Sequence, residues 1–321
     1  MLPPANPSKR KLKGLVAYAA GTAELETITA LDLSHAAIQA EWPAPFAKVP
    51  DLSFLPRLES LNLSGHQITA GIPSTMALEE LTHLKELDIS FNLLDGSAGV
   101  LVPIGIQQLN LSRNPLIWNG VPPRLLICAH KLQALNLKEA GSGSLYGLWG
   151  LLPLQELNLE NLELTEPVRF RKEDILPEKL NINGISAKNF LAKQTESWKA
   201  VEWLWVNDLQ ILEGITILPK LKRLFISKGS RLQIPQLPKL PALEILSIEN
   251  WGQIGGLERL LTLNNNLILY LKYNNLKEQD ILPLVNKFHL IDLRGNPLQR
   301  KKLPKLLRRS THILLDEDTR K

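Results

Sequence analysis

The chain has 321 residues, 44% of them hydrophobic, and a formal net charge of +5. Its single cysteine, Cys128, excludes an intramolecular disulfide, and no apolar run reaches the roughly 18 residues that a membrane-spanning helix requires. Basic residues gather at the two ends (Lys9, Arg10, Lys11 and Lys13, then residues 299–321), so the long stretch between them is acidic on balance.

Residues 1–13, Pro-rich and then basic, read as a loose arm. Gly14 to Ala20 is short and apolar. It mimics a minimal signal segment, with Ala17-Tyr18-Ala19 in the place of a cleavage site. It also suits a helix in which Leu15, Tyr18 and Leu25 cover the open end of whatever follows, and this is the reading adopted. From Ile28 onward one pattern recurs, most plainly at Leu84, Leu87, Ile89 and Asn92: L-x-x-L-x-I-x-x-N. Apolar residues at the first, fourth and sixth places fit a short strand that turns away after its inward-facing side chains. About twelve copies start at Ile28, Leu58, Leu84, Ile106, Leu132, Leu154, Pro177, Val201, Leu221, Leu243, Asn266 and Phe288. Asn occupies the ninth place at Asn92, Asn114, Asn274 and Asn296, and His66 stands there in the second copy. The copy at Pro177 is the weakest, and a register slip is expected around it. Residues 37–57, with four prolines, read as an irregular loop. The Pro-rich connections of the later copies favour extended or turn-like segments over full helices. After Asn296-Pro297-Leu298, Lys301–Arg309 reads as a short basic helix and His312–Asp316 as a final strand.

Copies spaced 20 to 30 residues apart with this consensus resemble leucine-rich repeats over nearly the whole chain. The lack of paired cysteines is similar to the intracellular type without cysteine caps. The resemblance implies an α/β solenoid: a curved horseshoe of about twelve repeats with a parallel concave β-sheet, a helical N-cap and a helical C-cap. The expected organisation is a basic arm and N-terminal cap over 1–27, the repeat array over 28–298 and a basic C-terminal cap over 299–321. One repeat cannot bury its own Leu face, so neighbours must share a continuous core.

In that fold the second, third, fifth, seventh and eighth places of each unit face outward on the strand side. The fifth place runs Asp32, Asn62, Asp88, Asn110, Asn136, Asn158, Asn181, then changes to Trp205, Phe225, Ser247, Tyr270 and Asp292. Trp203 joins at the third place, and Phe91 and Tyr273 at the eighth. Large aromatics on an outward column suggest an interface, because Trp and Tyr bury much area at low entropic cost. Glu202, Asp208, Arg223 and Lys228 are candidate rim residues, with Lys222, Glu244, Glu249 and Lys272 beside them. The competing reading is that the aromatics pack on one another across adjacent strands. Trp251, at a ninth place, is expected to turn inward.

Chemistry is sparse. The six histidines fall in different units with no metal-ligand spacing. Cys128 and His130 lie two apart on an apolar segment that reads as buried. Gly141-Ser142-Gly143-Ser144 lacks the Lys-Ser/Thr ending of a phosphate loop and reads as a turn. The sequence therefore points to a non-enzymatic, monomeric, cytoplasmic scaffold or regulator that binds a protein or peptide on the concave face and needs no cofactor or metal. Two alternatives stay open. One is an effector or enzyme-recruiting repeat protein with activity at the concave face. The other is nucleic-acid or acidic-surface binding through the basic termini.

Overall fold

The computed structural model describes residues 6–69, 75–95, 102–119, 130–145, 148, 154–170, 173–191, 195–285, 287–298 and 312–316. Contacts divide the chain into two compact units, Met1–Arg169 and Phe170–Lys321.

The first unit opens with helix α1, Lys9–Ala20. It buries Leu12, Leu15 and Val16, the i, i+3, i+4 set of one helical face. Two expectations change here. The basic residues Lys9–Lys13 belong to the helix and not to a loose arm. Tyr18 lies off the buried face and is 53% exposed, while Leu12 and Val16 are buried beside Leu15. Gly21 ends the helix in the left-handed conformation, φ 65°, which a Cβ-free residue adopts without penalty. The four-residue helix α2, His35–Ile38, begins the 37–57 connection.

Short strands follow at the repeat positions: β1 Ala30–Asp32, β2 Ser60–Asn62, β3 Glu86–Asp88, β4 Gln108–Asn110, β6 Ala134–Asn136 and β8 Glu156–Asn158. They lie side by side, all parallel and in the same register, with Leu31, Leu61, Leu87, Leu109, Leu135 and Leu157 in one row. That row is buried, as are the sixth-place row and, apart from half-buried Leu154, the first-place row. Burying a Leu side chain contributes about 1.5–3 kcal/mol, so the three rows make the core. A second, three-stranded parallel sheet forms from β5 Ile117–Asn119, β7 Ser142–Ser144 and β9 Glu163–Leu164. Gly141-Ser142-Gly143-Ser144 is thus largely a strand and not a turn. Gly141 enters it at φ 72°, where an added Cβ would collide with the Leu116 backbone. β10, Val168–Arg169, ends the unit.

In the second unit β11 Lys179–Asn181, β13 Trp203–Val206, β14 Arg223–Gln233, β15 Ile245–Gly255, β16 Ile268–Tyr270, β17 Leu290–Asp292 and β18 Ile313–Leu314 form a parallel sheet in that order. β12, Phe190–Leu191, lies between the first two in sequence and outside this sheet. Leu180, Leu204, Leu224, Leu246, Leu269, Ile291 and Ile313 form one row. Lys179 pairs with Trp203, so the slip expected after Pro177 does not occur. His312–Asp316 supplies the expected last strand; the basic helix expected over Lys301–Arg309 lies outside the described residues. The connections before β13, after β13 and after β15 carry short 3-10 turns at Thr195–Trp198, Leu209–Leu212 and Leu257–Thr262. β14 and β15 reach 11 residues, far beyond the other strands.

Candidate functional site

The outward side of the second unit's sheet is built by alternation along each strand. On β13, Leu204 and Val206 point into the core, which leaves Trp203 and Trp205 on the open side, both half-buried. Register then places Arg223 beside Trp203 and Phe225 beside Trp205. Ile245 and Ser247 follow, then Ile268 and Tyr270, then Leu290 and Asp292. Two adjacent columns of this face are therefore mainly apolar. Ile245, Ile268 and Leu290 were not singled out from the sequence. The signal was present in the third place, which is apolar in those units and polar or Ala in the first unit (Ala30, Ser60, Glu86, Gln108, Ala134, Glu156).

The aromatics pack on one another. Trp205 and Phe225 stack with centroids 4.9 Å apart and planes 10° from parallel. Trp203 meets Trp205 at 5.9 Å, tilted by 56°. The Arg223 guanidinium lies 4.2 Å from the Trp203 ring centre and the Lys179 ammonium 5.2 Å from it, both within cation–π range. The Lys272 ammonium approaches Tyr270 at 5.3 Å. Around them, Glu202 accepts from Lys222 at 2.8 Å, and Lys272 pairs with Glu249 at 3.3 Å. The hydrogen bond that Lys222 donates to Glu202, and the charge of that carboxylate, hold the Lys222 ammonium above its ordinary pKa.

The other predicted residues fall elsewhere. Asp208 is half-buried, with one oxygen accepting from the Gln210 amide and the other from the Ala187 amide, so it also fixes local backbone. Lys228 is exposed in the left-handed region at φ 71°. Tyr273, 60% exposed at φ 55°, lays its ring over Gly295. Phe91 belongs to the first unit, 50% exposed, with the Arg113 guanidinium 4.7 Å from its ring centre. Trp251 turns inward as expected, 6% exposed, its indole N–H donating to the Ile226 carbonyl at 3.2 Å.

The polar part of the fifth column also has a role that the sequence reading missed. Asp32, Asn62, Asp88, Asn110, Asn136, Asn158, Asn181 and Asp292 each accept, through Oδ1, the amide two residues onward. These are Asx turns that close the strand. Asp292 is fully buried and bound by Arg294 at 2.7 Å. Burial favours its neutral form, yet the hydrogen bonds and charge of Arg294 bring its pKa below the ordinary carboxylate value.

With in-register parallel strands, buried apolar rows at the fourth and sixth places, and ninth-place Asn side chains bonded to neighbouring turns, the expected architecture is present in each unit. The chain has the leucine-rich-repeat fold. No protein-family model matches the sequence of this repeat chain, and no curated protein does. Among solved structures it is similar to an internalin, InlF, from Listeria monocytogenes, with TM-score 0.52 and 19% identity over 95% of this chain and 94% of that one. It is also similar to a chain in an octameric complex of Latrophilin 3, Unc5D and FLRT2, the last marked as the leucine-rich-repeat component. Here the TM-score is 0.51 and the identity 18%, over 84% of this chain and 86% of that one. At these identities the likeness concerns the fold.

Among the described residues no group of three or more His, Cys, Asp or Glu could hold a metal ion, and no helix is long and apolar enough to cross a membrane. Cys128 lies outside the described residues.

Proposed function

We propose that this repeat protein binds a protein or peptide, and that the outward face of β13–β17 is where it does so. The observation that carries the reading is the pair of apolar columns, Trp203, Trp205, Phe225, Ile245, Ile268, Tyr270 and Leu290, left half-buried on the open side of a sheet whose counterpart in the first unit is polar. Half-buried apolar side chains in rows are unusual on a solvated face and form the apolar core that interfaces need. The Trp205–Phe225 stack pre-orders two large rings, so a partner would not pay to immobilise them. Glu202, Lys222, Glu249 and Lys272 supply a polar border. The presence of the similar FLRT2-containing structure in an assembly of several proteins agrees with this reading. A lone cysteine fits a reducing compartment, and we read the protein as a monomeric cytoplasmic scaffold or regulator.

The decisive experiment is affinity capture from native lysate with wild type, a Trp205→Ser/Phe225→Ser variant and a first-unit control, Gln108→Ala/Glu156→Ala, each verified as folded by circular dichroism. A partner kept by wild type and control but lost by the folded Trp205/Phe225 variant supports the reading. A partner set identical for all three removes the site, and the aromatics are then structural.

A further inference from the structure

The ninth-place side chains form a ladder. Asn92, Asn114, Asn274 and Asn296 each donate from Nδ2 to the sixth-place carbonyl of the preceding unit: Leu63, Ile89, Ile248 and Leu271, at 2.7–3.0 Å. Their Oδ1 atoms accept amides from the preceding turn, at Ile68, Leu94, Trp251 and Leu276. His66 takes this place with an imidazole. Its Nε2 is 2.7 Å from the Leu33 carbonyl, and its Nδ1 is 3.1 Å from the Phe46 amide nitrogen. The tautomer follows from the partners. The Leu33 oxygen can only accept, so Nε2 carries the proton; the Phe46 amide can only donate, so Nδ1 is bare.

An Asn amide keeps this arrangement at any ordinary pH, whereas an imidazole does not. A second proton on Nδ1 would face the Phe46 N–H, donor against donor, at a ring only 4% exposed. Phe46 itself is fully buried and stacks on the imidazole, with centroids 4.4 Å apart. From α2 the titratable group facing the ring is His35, edge-on at 5.5 Å, and its charge would add repulsion.

The loop that Phe46 anchors holds more than itself. Gln67 donates to the Phe46 carbonyl. Asn6 brackets the next two residues, accepting from the Ala47 amide and donating to the Lys48 carbonyl. Lys9 of α1 pairs with Asp51 at 3.9 Å, while Lys11 and Lys13 lie over the rings of Trp42 and Phe54. The loop thus straps the start of the chain to the first repeats.

We propose that His66 is an acid-operated latch, in which protonation of Nδ1 releases Phe46 and with it the 39–57 loop and the Asn6–Lys9 segment that the loop holds. Burial agrees with the geometry, because it lowers the imidazole from its ordinary 6.5 to about 4. The opened latch therefore takes up a proton below about pH 6.5 that the closed one refuses until about pH 4. Opening is unaffected above that range and favoured by about 30-fold at pH 5 relative to pH 7.5.

The test is hydrogen exchange of peptides covering 39–57, corrected for intrinsic rates, at pH 7.5 and pH 5, in wild type and in His66→Asn. The Asn variant restores the donor and acceptor of the other units without a titrating group. A protection loss of about 30-fold in wild type and a flat response in His66→Asn is the expected result. Equal loss in both proteins, or none in wild type, overturns the latch. A second readout does not depend on the variant folding: nitrogen chemical shifts of His66 in wild type. A neutral Nε2–H ring at pH 5.5 supports the latch, and titration with an ordinary midpoint near 6.5 while the loop stays protected overturns it.

Discussion

Single residues at three places of the repeat decide how each strand ends. At the eighth place Phe91, Arg113, Glu139, Asn161, Lys228, Asn250 and Tyr273 adopt φ between 53° and 71°, and Gly65, Gly184 and Gly295 hold the same place at φ 75° to 83°. A side chain in that region costs on the order of 1 kcal/mol against glycine. Lys228→Gly is therefore expected to raise the urea-unfolding free energy by roughly 0.5–1 kcal/mol, reduced somewhat by the greater freedom of the unfolded chain; a loss of stability would contradict a strained backbone at Lys228. The ninth place works in the opposite direction. Asn274, 5% exposed, bonds both the Ile248 carbonyl and the Trp251 amide, and Asn274→Ala would leave both unpaired in the core. The expected cost is about 2–4 kcal/mol, while the same change at exposed Asn275, outside the left-handed positions, should stay within about 0.5 kcal/mol. The ninth-place role was legible because Asn recurred at a fixed offset from buried leucines. The fifth-place role was not: spacing tells which side a side chain leaves the strand, but not that its oxygen folds back to the amide two residues on.

Among the elements, β14 and β15 depart most from the repeat, and the sequence gives the physical reason only in hindsight. Phe225 and Ser247 stand where most other strands carry the Asx residue, but so do Trp205 and Tyr270 in the short β13 and β16, so the missing Asx bond permits a longer strand without producing one. What sets β14 and β15 apart is that each finds the other as a partner beyond the repeat, pairing in parallel through Gly229–Gln233 and Trp251–Gly255. Gly229 stands opposite Trp251, and an added Cβ there would collide with the Trp251 ring. Gly229→Ala alone is expected to cost about 2–3 kcal/mol by overpacking. In a Trp251→Leu background the obstacle is removed, and the same change should cost under about 1 kcal/mol, a coupling measurable by a double-mutant cycle in urea. Additive costs would mean that the strain lies in the backbone and not in the ring contact. The extended segments expected of the Pro-rich later connections point the same way as these long strands. The row of buried leucines, by contrast, was legible along β13–β17 without error, because a slip of one residue would have exposed every one of them.

Across the whole molecule, acid should act unevenly, because a repeat array gains its stability from nearest neighbours and a local loss stays local. Two buried titratable groups mark two pH windows. His66 in the first unit has its pKa lowered from 6.5 to about 4. The folded form binds its proton later than the unfolded chain, so stability is full above about pH 6.5 and falls down to about pH 4, by roughly 3 kcal/mol in all. That is a large share of the roughly 5–15 kcal/mol typical of a folded domain. Asp292 in the second unit runs in the same direction but in a lower window. Its folded pKa lies below the unfolded 3.8, so the stability it contributes is present above that value and is lost only as pH falls beneath it. The first unit should therefore lose protection before the second on acidification. Hydrogen exchange followed by mass spectrometry at pH 7, 5, 4 and 3 separates the windows: peptides over β1–β3 are expected to open between pH 6 and pH 4, and peptides over β16–β18 only below about pH 4. Opening of β16–β18 above pH 4, with β1–β3 still protected, would show that His66 and Asp292 do not set the order in which the repeats yield to acid.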